Sequence, residues 1–269
     1  MDMAKLSIQL YTLREASKDN FEQVLKFCSE QGFQGVEFAG FYGHSKEEIK
    51  SWLDKYHLTV TSAHVPLEEL EHDLQQTMEF HRFIGNHRIV CPFYLVTDQA
   101  SLRELIEKLT PIAKTLTENG FDLYYHNHDH ELAKMEDQYI LDCLCDEIPQ
   151  LKLEVDTFWV YAAKQNPVEF LQSHKDRIDD IVHIKDGFDG RNCTQEQHDH
   201  LPNEAFNRMQ RGIYMCPCSI GLGNAPVKDV IETCKQMEIE WFILENDFPY
   251  PDGYTDVARS IHTLKEFIK

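Results

Sequence analysis

The sequence predicts an α/β fold in which a single domain, residues 1–269, forms a closed (β/α)8 barrel. The chain has 269 residues, and a barrel of this kind is usually built from roughly 250. Short apolar segments alternate with longer segments of helical periodicity along the whole chain. No linker rich in Pro, Gly or Ser, no charge block and no change of composition divides the sequence into two half-length domains.

The predicted strands are rich in aliphatic, β-branched and aromatic residues, and polar residues follow each of them. They cover residues 6–10, 35–39, 58–62, 88–92, 121–125, 151–155, 178–184 and 241–244. Strands that alternate with helices are typical of parallel βαβ units. Eight such units favour a closed barrel over an open sheet.

The intervening helices are predicted from their start signals and from apolar residues at helical spacing. Ser45 and Glu48 form a capping box. Asp98 precedes an amphipathic stretch, and Pro167 suits the first turn of another helix. A last helix is predicted over residues 252–269.

The segment 187–219 is polar and has no clear periodicity. We predict a long loop there, after the seventh strand, with a short helix around residues 195–200. Long loops at the carboxyl face of a barrel usually carry function. The glycines Gly221 and Gly223 that follow are predicted to form a turn.

The composition is acidic, with 46 Asp and Glu against 26 Lys and Arg and a net charge of -20. A surface of this charge disfavours nucleic-acid and membrane partners. Neither a secretion signal nor an apolar run of the ~18–20 residues needed to span a bilayer is evident. The eight cysteines are therefore interpreted as reduced thiols, and the expected location is cytoplasmic.

Four consecutive predicted strands end in side chains that can bind a metal. These ends are Tyr125-His126-Asn127-His128, Glu154-Val155-Asp156, His183-Ile184-Lys185-Asp186 and Glu245-Asn246-Asp247. A single His or Asp at a strand end is more often a hydrogen-bonded structural group. The carboxyl ends of barrel strands converge, however, so four such ends in succession predict a divalent metal site for a small sugar or polyol.

Seven segments in the same order carry a resemblance to a known family. They are Ile8-Gln9-Leu10-Tyr11-Thr12-Leu13-Arg14, Gly35-Val36-Glu37-Phe38-Ala39-Gly40, Ser62-Ala63-His64-Val65-Pro66-Leu67, Tyr125-His126-Asn127-His128, Glu154-Val155-Asp156-Thr157, His183-Ile184-Lys185-Asp186 and Gly221-Leu222-Gly223-Asn224. Over essentially its whole length, the chain resembles the xylose isomerase-like TIM-barrel superfamily, in its sugar phosphate isomerase/epimerase branch.

The resemblance implies one Mn²⁺-like ion held at the ends of strands five to eight. Asp156, His183 and Glu245 match the ligand positions, and His126 stands where relatives often have Glu. Two imidazoles and two carboxylates point to Mn²⁺ or Zn²⁺, with Co²⁺, Fe²⁺ or Ni²⁺ as alternatives. Related ketose 3-epimerases use two metal-bound Glu residues, so ordinary 3-epimerisation is disfavoured here.

Four residues are candidates for the chemistry. Glu245 is the expected base, and His126 could shuttle a proton if the metal does not hold it permanently. Lys185 could polarise a carbonyl, although an ion pair with Glu154 or Asp186 is the alternative. Glu37 is a candidate second acid/base, with a salt bridge as its alternative role.

The predicted substrate contacts are His64, His128, Glu154, Trp159, Gln9 and Tyr11. His64 could bind a hydroxyl group or a second metal. Core packing is the ordinary alternative for Trp159. The arginines of the predicted long loop could hold a phosphate or carboxylate, but solvated charges are their default role; they are Arg191, Arg208 and Arg211.

The expected function is a metal-dependent isomerase or epimerase of a sugar, sugar phosphate or polyol, acting by proton abstraction next to a polarised carbonyl. The alternative is a metal-dependent lyase or dehydratase acting on a keto-sugar, an inositol derivative or a glycoside. A DNA-repair endonuclease is disfavoured by the charge and by Trp159, because that family has His at this position. A sugar-binding protein without activity remains a third class, and a homo-oligomer is possible.

Overall fold

The computed structural model describes residues 4–269 and contains a closed barrel of eight parallel strands. The strands, labelled β1 to β8 in chain order, are Lys5–Gln9, Gly35–Phe38, Thr59–His64, Arg88–Cys91, Asp122–His126, Lys152–Asp156, Ile181–Ile184 and Trp241–Leu244. Neighbouring strands pair in parallel, and β1 pairs with both β2 and β8. The predicted (β/α)8 barrel is confirmed.

Helices connect the strands and cover the outside of the barrel. The α-helices are Arg14–Asp19, Phe21–Glu30, Lys46–Tyr56, Leu67–His72, Leu74–Ile84, Gln99–Glu118, Ile140–Glu147, Thr157–Ala162, Pro167–Ser173, Gln195–Asp199, Asn203–Gln210, Val227–Gln236 and Gly253–Ile268. The capping box of Ser45, the cap of Asp98 and the first-turn position of Pro167 are confirmed. Within residues 4–269, none of these helices is both long and apolar enough to cross a membrane.

The main hydrophobic core lies between the strands and the outer helices. A second apolar cluster is formed by residues of the barrel strands, and it consists of Val90, Tyr124, Ile181, Trp241 and Ile243. The eight cysteines are free thiols, as expected, and six of them are buried.

The register between β2 and β3 shifts after Val36, so Glu37 lies opposite Ser62. The hydroxyl group of Ser62 donates a 2.6 Å hydrogen bond to Glu37 Oε1. This irregularity fixes the buried carboxyl group of Glu37 inside the barrel.

The connection after β7 has more regular structure than the predicted loop 187–219. Its strands Asp186–Asp189 and Met215–Cys218 pair in antiparallel fashion, and two helices lie between them. The first of these, Gln195–Asp199, falls where a short helix was expected. We call this connection, residues 186–218, the β7 excursion. It packs around an apolar cluster that includes its own Phe188 and also Phe248, which follows β8. Cross-strand pairing and this cluster, which a scan for periodicity misses, account for the additional structure.

The buried carboxylate of Asp186 organises the turn around Gly221 and Gly223. It accepts hydrogen bonds from the backbone N–H groups of Gly187, Gly221, Gly223 and Ala225 at 2.7, 2.9, 3.1 and 3.2 Å. A Cβ atom at Gly223 would lie 1.9 Å from Asp186 Oδ1 and 2.4 Å from Gly187 N. The close approach therefore requires glycine at this position.

Candidate active site

The carboxyl ends of β5 to β8 bring together the side chains of His126, Asp156, His183 and Glu245. One potential ligand atom from each lies within 4.8 Å of the others. All four side chains are buried. We call this group the upper cluster.

Two carboxylates below the upper cluster hold its imidazoles in place. His126 Nδ1 lies 3.2 Å from Glu154 Oε2, and His183 Nε2 lies 2.7 Å from Glu37 Oε2. The other nitrogens face upward. His126 Nε2 lies 3.9 Å from Asp156 Oδ2, and His183 Nδ1 lies 3.1 Å from Glu245 Oε2. A carboxylate that anchors one imidazole nitrogen and leaves the other for a metal is the usual arrangement around metal-binding histidines.

A second group of possible ligands consists of His64, His126, Glu154 and His183. It shares two imidazoles with the upper cluster and contains the carboxylate that anchors His126. His64 Nε2 also contacts Glu154 Oε2, at 2.8 Å. Because the nitrogens that face Glu154 are already hydrogen-bonded, this lower group supports the upper cluster.

The buried ammonium group of Lys185 contacts three carboxylates. It lies 2.8, 2.7 and 2.8 Å from oxygens of Asp156, Glu245 and Asp247. The contact with Asp156 Oδ2 lacks hydrogen-bond geometry, and this oxygen has no hydrogen-bond partner among the described residues. Lys185 thus neutralises only part of the negative charge.

The upper cluster fits a divalent metal ion. The three carboxylates of Asp156, Glu245 and Asp247 outnumber their cationic neighbours, Lys185 and protonated His183, and buried charges are costly unless they are paired. A divalent cation would supply the missing positive charge. Asp156 Oδ2 offers an unused acceptor, and a donor set of imidazole and carboxylate suits Mn²⁺, Zn²⁺ and related ions.

The ionisation of the cluster follows from its burial and its neighbours. Burial alone would raise the pKa of Glu245, but Lys185 and His183 hold that pKa well below its usual value. Burial lowers the pKa of His126 well below the ordinary range, so this imidazole is neutral and ready to bind a metal. Burial opposes protonation of His183, yet Glu154 and Glu37 raise its pKa well above normal. A metal at His183 must therefore displace a proton.

Glu37 and Glu154 form a coupled pair beneath the imidazoles. Burial and the neighbouring charge of Glu154 raise the pKa of Glu37 to about 7. Burial would raise the pKa of Glu154 as well, but His183 and its other hydrogen-bond partners hold it well below the usual value. As the pH rises, Glu154 therefore ionises before Glu37.

A cavity of about 450 Å³ opens above the upper cluster. We call it the metal cavity. Three predicted substrate contacts line it, namely Tyr11, His64 and His128, together with His126 and Glu245. Its apolar wall includes Phe93, which is 50% exposed. Both the volume and the mixed lining are typical of a small-molecule site.

The other predicted site residues lie beneath or beside this cavity. Gln9 is buried and donates a 2.6 Å hydrogen bond to Glu37 Oε2. Glu154 is buried below the imidazoles. Trp159 is 3% exposed and packs on His128, with ring centroids 5.5 Å apart. Lys185 forms its ion pairs with Asp156, Glu245 and Asp247, and not with Glu154 or Asp186, the two partners that the sequence suggested.

Sequence reasoning did not assign a role to three residues that the site contains. Asp247 completes the contacts of Lys185, and its position two residues after Glu245 was a usable signal. Phe93 follows β4 at the same barrel end, so the strand-end rule could have found it. Glu69 lies in a helix after β3, and nothing in its local sequence distinguishes it from a solvated carboxylate.

The chain is a barrel with a buried cluster of possible metal ligands at the carboxyl ends of its strands. The family model described as "Xylose isomerase-like TIM barrel" matches residues 25–267. The chain therefore belongs to the xylose isomerase-like TIM-barrel family. No curated protein matches the sequence significantly.

Solved structures with the same fold are distant in sequence. A sugar phosphate isomerase/epimerase from Parabacteroides distasonis ATCC 8503 is 16% identical, with a TM-score of 0.78 over 99% of this chain and 100% of that one. The IOLI protein with a bound zinc atom is 14% identical, with a TM-score of 0.73 over 98% of each chain. A probable 3-DHS dehydratase, AsbF, from Bacillus anthracis is 15% identical, with a TM-score of 0.70 over 97% of this chain and 98% of that one. At these identities the likeness shows the fold alone.

Proposed function

We propose that this protein is a divalent-metal-dependent isomerase or epimerase of a sugar or polyol. The upper cluster carries the proposal, because it combines four buried ligand groups with an excess of negative charge below an open cavity. His126, Asp156, His183 and Glu245 would hold the ion. The zinc atom in the IOLI structure and the sugar isomerase/epimerase named among the similar folds support the same assignment.

The ion would act as a Lewis acid that polarises a carbonyl group of the substrate. Glu245 removes the proton from the neighbouring carbon, since it is ionised and lines the metal cavity. His64 and His128 line the same cavity and bind substrate hydroxyl groups. Reprotonation at the adjacent carbon gives isomerisation, and reprotonation on the opposite face gives epimerisation.

Lys185 and Glu37 support this chemistry from buried positions. Lys185 limits the negative charge around Glu245 and fixes its orientation through a 2.7 Å hydrogen bond. Its positive charge would also help to stabilise negative charge that develops on the substrate carbonyl oxygen. Glu37 uses both carboxyl oxygens for Ser62, Gln9 and His183, which favours a positioning role over acid/base catalysis.

A lyase or dehydratase is the second candidate. It begins with the same proton abstraction but ends with loss of a substituent from the next carbon, on a keto-sugar, an inositol derivative or a glycoside. The observation that favours it is His126 in place of a second glutamate ligand. Among residues 4–269, this arrangement leaves Glu245 as the one carboxylate lining the metal cavity that can serve both as ligand and as base.

Solvent exchange tests the proposal. Protein loaded with Mn²⁺ or Zn²⁺ is incubated with D-fructose and other ketoses in deuterated water, and NMR follows deuterium at the carbons next to the carbonyl. We expect metal-dependent incorporation that Glu245→Gln abolishes, whereas the exposed control Glu240→Gln retains it. Turnover without exchange would indicate hydride transfer, and loss of a substituent would indicate the lyase.

A further inference from the structure

The metal cavity does not end above the upper cluster. A second cavity of about 510 Å³ lies beside it, and the two share Pro66 and Glu69 in their walls. We call this the side cavity. Each cavity falls within the 300–1,000 Å³ that drug-sized ligands occupy. A monosaccharide bound at the metal would leave the side cavity unfilled.

The lining of the side cavity suits an uncharged polar ring. Phe41 and Phe80 are half-buried and in contact, with ring centroids 4.2 Å apart. Their faces offer an apolar wall for the C–H groups of a sugar. Glu69, Asp73 and Gln76 line the same cavity and provide hydrogen-bonding groups for hydroxyls.

Neither cavity is built for phosphate. Among the described residues, no lysine or arginine lines either one. Lys185 is buried and already contacts three carboxylates. The helix that begins at Leu67 faces the junction, but its first turn carries Glu68 and Glu69, which occupy the position favourable to an anion. Proteins recognise phosphate mainly through Arg, Lys and free backbone N–H groups.

Building on the proposed function, we infer that the substrate is an unphosphorylated sugar with a second ring, which the side cavity holds while the first ring lies at the metal. The second ring is itself a neutral sugar or a comparable polyhydroxy ring. Glu69 lies at the junction and contacts both rings. The side cavity thus determines specificity without taking part in proton transfer.

The arginine of the β7 excursion offers the competing explanation. The guanidinium of Arg208 stacks over Phe248 and Trp159, at 5.0 and 5.9 Å from the ring centroids. It forms no ion pair with any described residue, so a phosphate on the substrate could provide one. Arg208 does not line either cavity, which is why the neutral substrate is favoured.

Binding measurements on the metal-loaded protein separate these possibilities without requiring turnover. The probes are D-fructose, D-fructose 6-phosphate and the four glucosylfructoses joined through O3, O4, O5 or O6. Calorimetry gives each dissociation constant. We expect at least one disaccharide to bind about tenfold more tightly than fructose, and the phosphate to give no gain.

Gln76→Ala removes a side-chain amide from the side cavity and is expected to reduce the disaccharide preference about tenfold. Glu107→Ala is the control. Glu107 is exposed in helix Gln99–Glu118 and lines neither cavity, so this variant should keep the preference for the disaccharide. Equal affinity for fructose and all disaccharides would overturn the inference. The inference would also be overturned if the protein preferred D-fructose 6-phosphate and Arg208→Gln abolished that preference. The deuterium exchange of fructose is read separately, so loss of the side-cavity assignment would leave the proposed function standing.

Discussion

Glu37→Leu tests whether the carboxylate beneath His183 determines the affinity of the metal centre. Glu37 is fully buried and accepts hydrogen bonds from Gln9, Ser62 and His183 at 2.6, 2.6 and 2.7 Å. Leucine has a similar size and no acceptor. The imidazole of His183 then loses the partner that holds its other nitrogen toward the proposed metal ion.

The expected loss of metal affinity is about 10- to 100-fold, the usual effect of removing the hydrogen-bond partner of a metal-binding histidine. This corresponds to about 1.4–2.7 kcal/mol of binding free energy. Glu37→Gln keeps an acceptor for His183 but loses the negative charge. Its loss of affinity is therefore expected near the lower end, at about tenfold.

The assay is calorimetric titration of the chelator-treated protein with Zn²⁺, with urea unfolding as a check on the fold. Glu131→Gln is the matched control, because Glu131 is equally buried but bonds to Tyr125 and to the backbone of His128. If both Glu37 variants bind Zn²⁺ within about twofold of the unmodified protein, the positioning role is refuted.

Three further changes test the surroundings. Lys185→Met removes the ammonium group that three buried carboxylates share, so urea unfolding with chelator present should show a loss of about 3–5 kcal/mol; less than about 1 kcal/mol would contradict this charge balance. Gly223→Ala forces a Cβ atom against Asp186 and should lower the free energy of unfolding more than Gly120→Ala does. At Gly120 only the positive φ of 77° opposes alanine, at a cost of about 1 kcal/mol. Equal losses in the two variants would refute the close approach. Burial lowers the pKa of His81 to about 4, below its unfolded value, so the stability it contributes is complete above about pH 6.5 and is lost as the pH falls toward 4. The stability difference between the unmodified protein and His81→Gln should therefore change by about 2 kcal/mol between pH 8 and pH 5, and a constant difference would contradict the shift.

The barrel could be predicted because each of its units carries a local signal. Capping at Ser45 and Asp98, the first-turn proline at 167 and the apolar strands all depend on neighbouring residues in the chain. The convergence of His126 and Glu245 followed from the fold itself, since barrel strands present their carboxyl ends at one face.

The roles within the site could not be predicted in the same way. Glu37 lies 146 residues from His183 in the sequence, and a register shift places its carboxyl group beneath that imidazole. Which of the nearby carboxylates contact Lys185 depends on side-chain geometry that the sequence does not specify. The side cavity arises where the segment around Phe41 meets the helix of Phe80, and periodicity in one segment carries no information about such a junction.

Metal content is the most direct test of the central claim, measured by elemental analysis for the unmodified protein, His126→Ala and the neighbouring control His128→Ala. All three are purified and reconstituted with Mn²⁺ or Zn²⁺ under the same conditions. We predict close to one ion per chain in the unmodified protein and in His128→Ala, and a sharp loss in His126→Ala. Full metal in His126→Ala would remove this histidine from the ligand set. No metal in any of the three would contradict a metal-dependent enzyme.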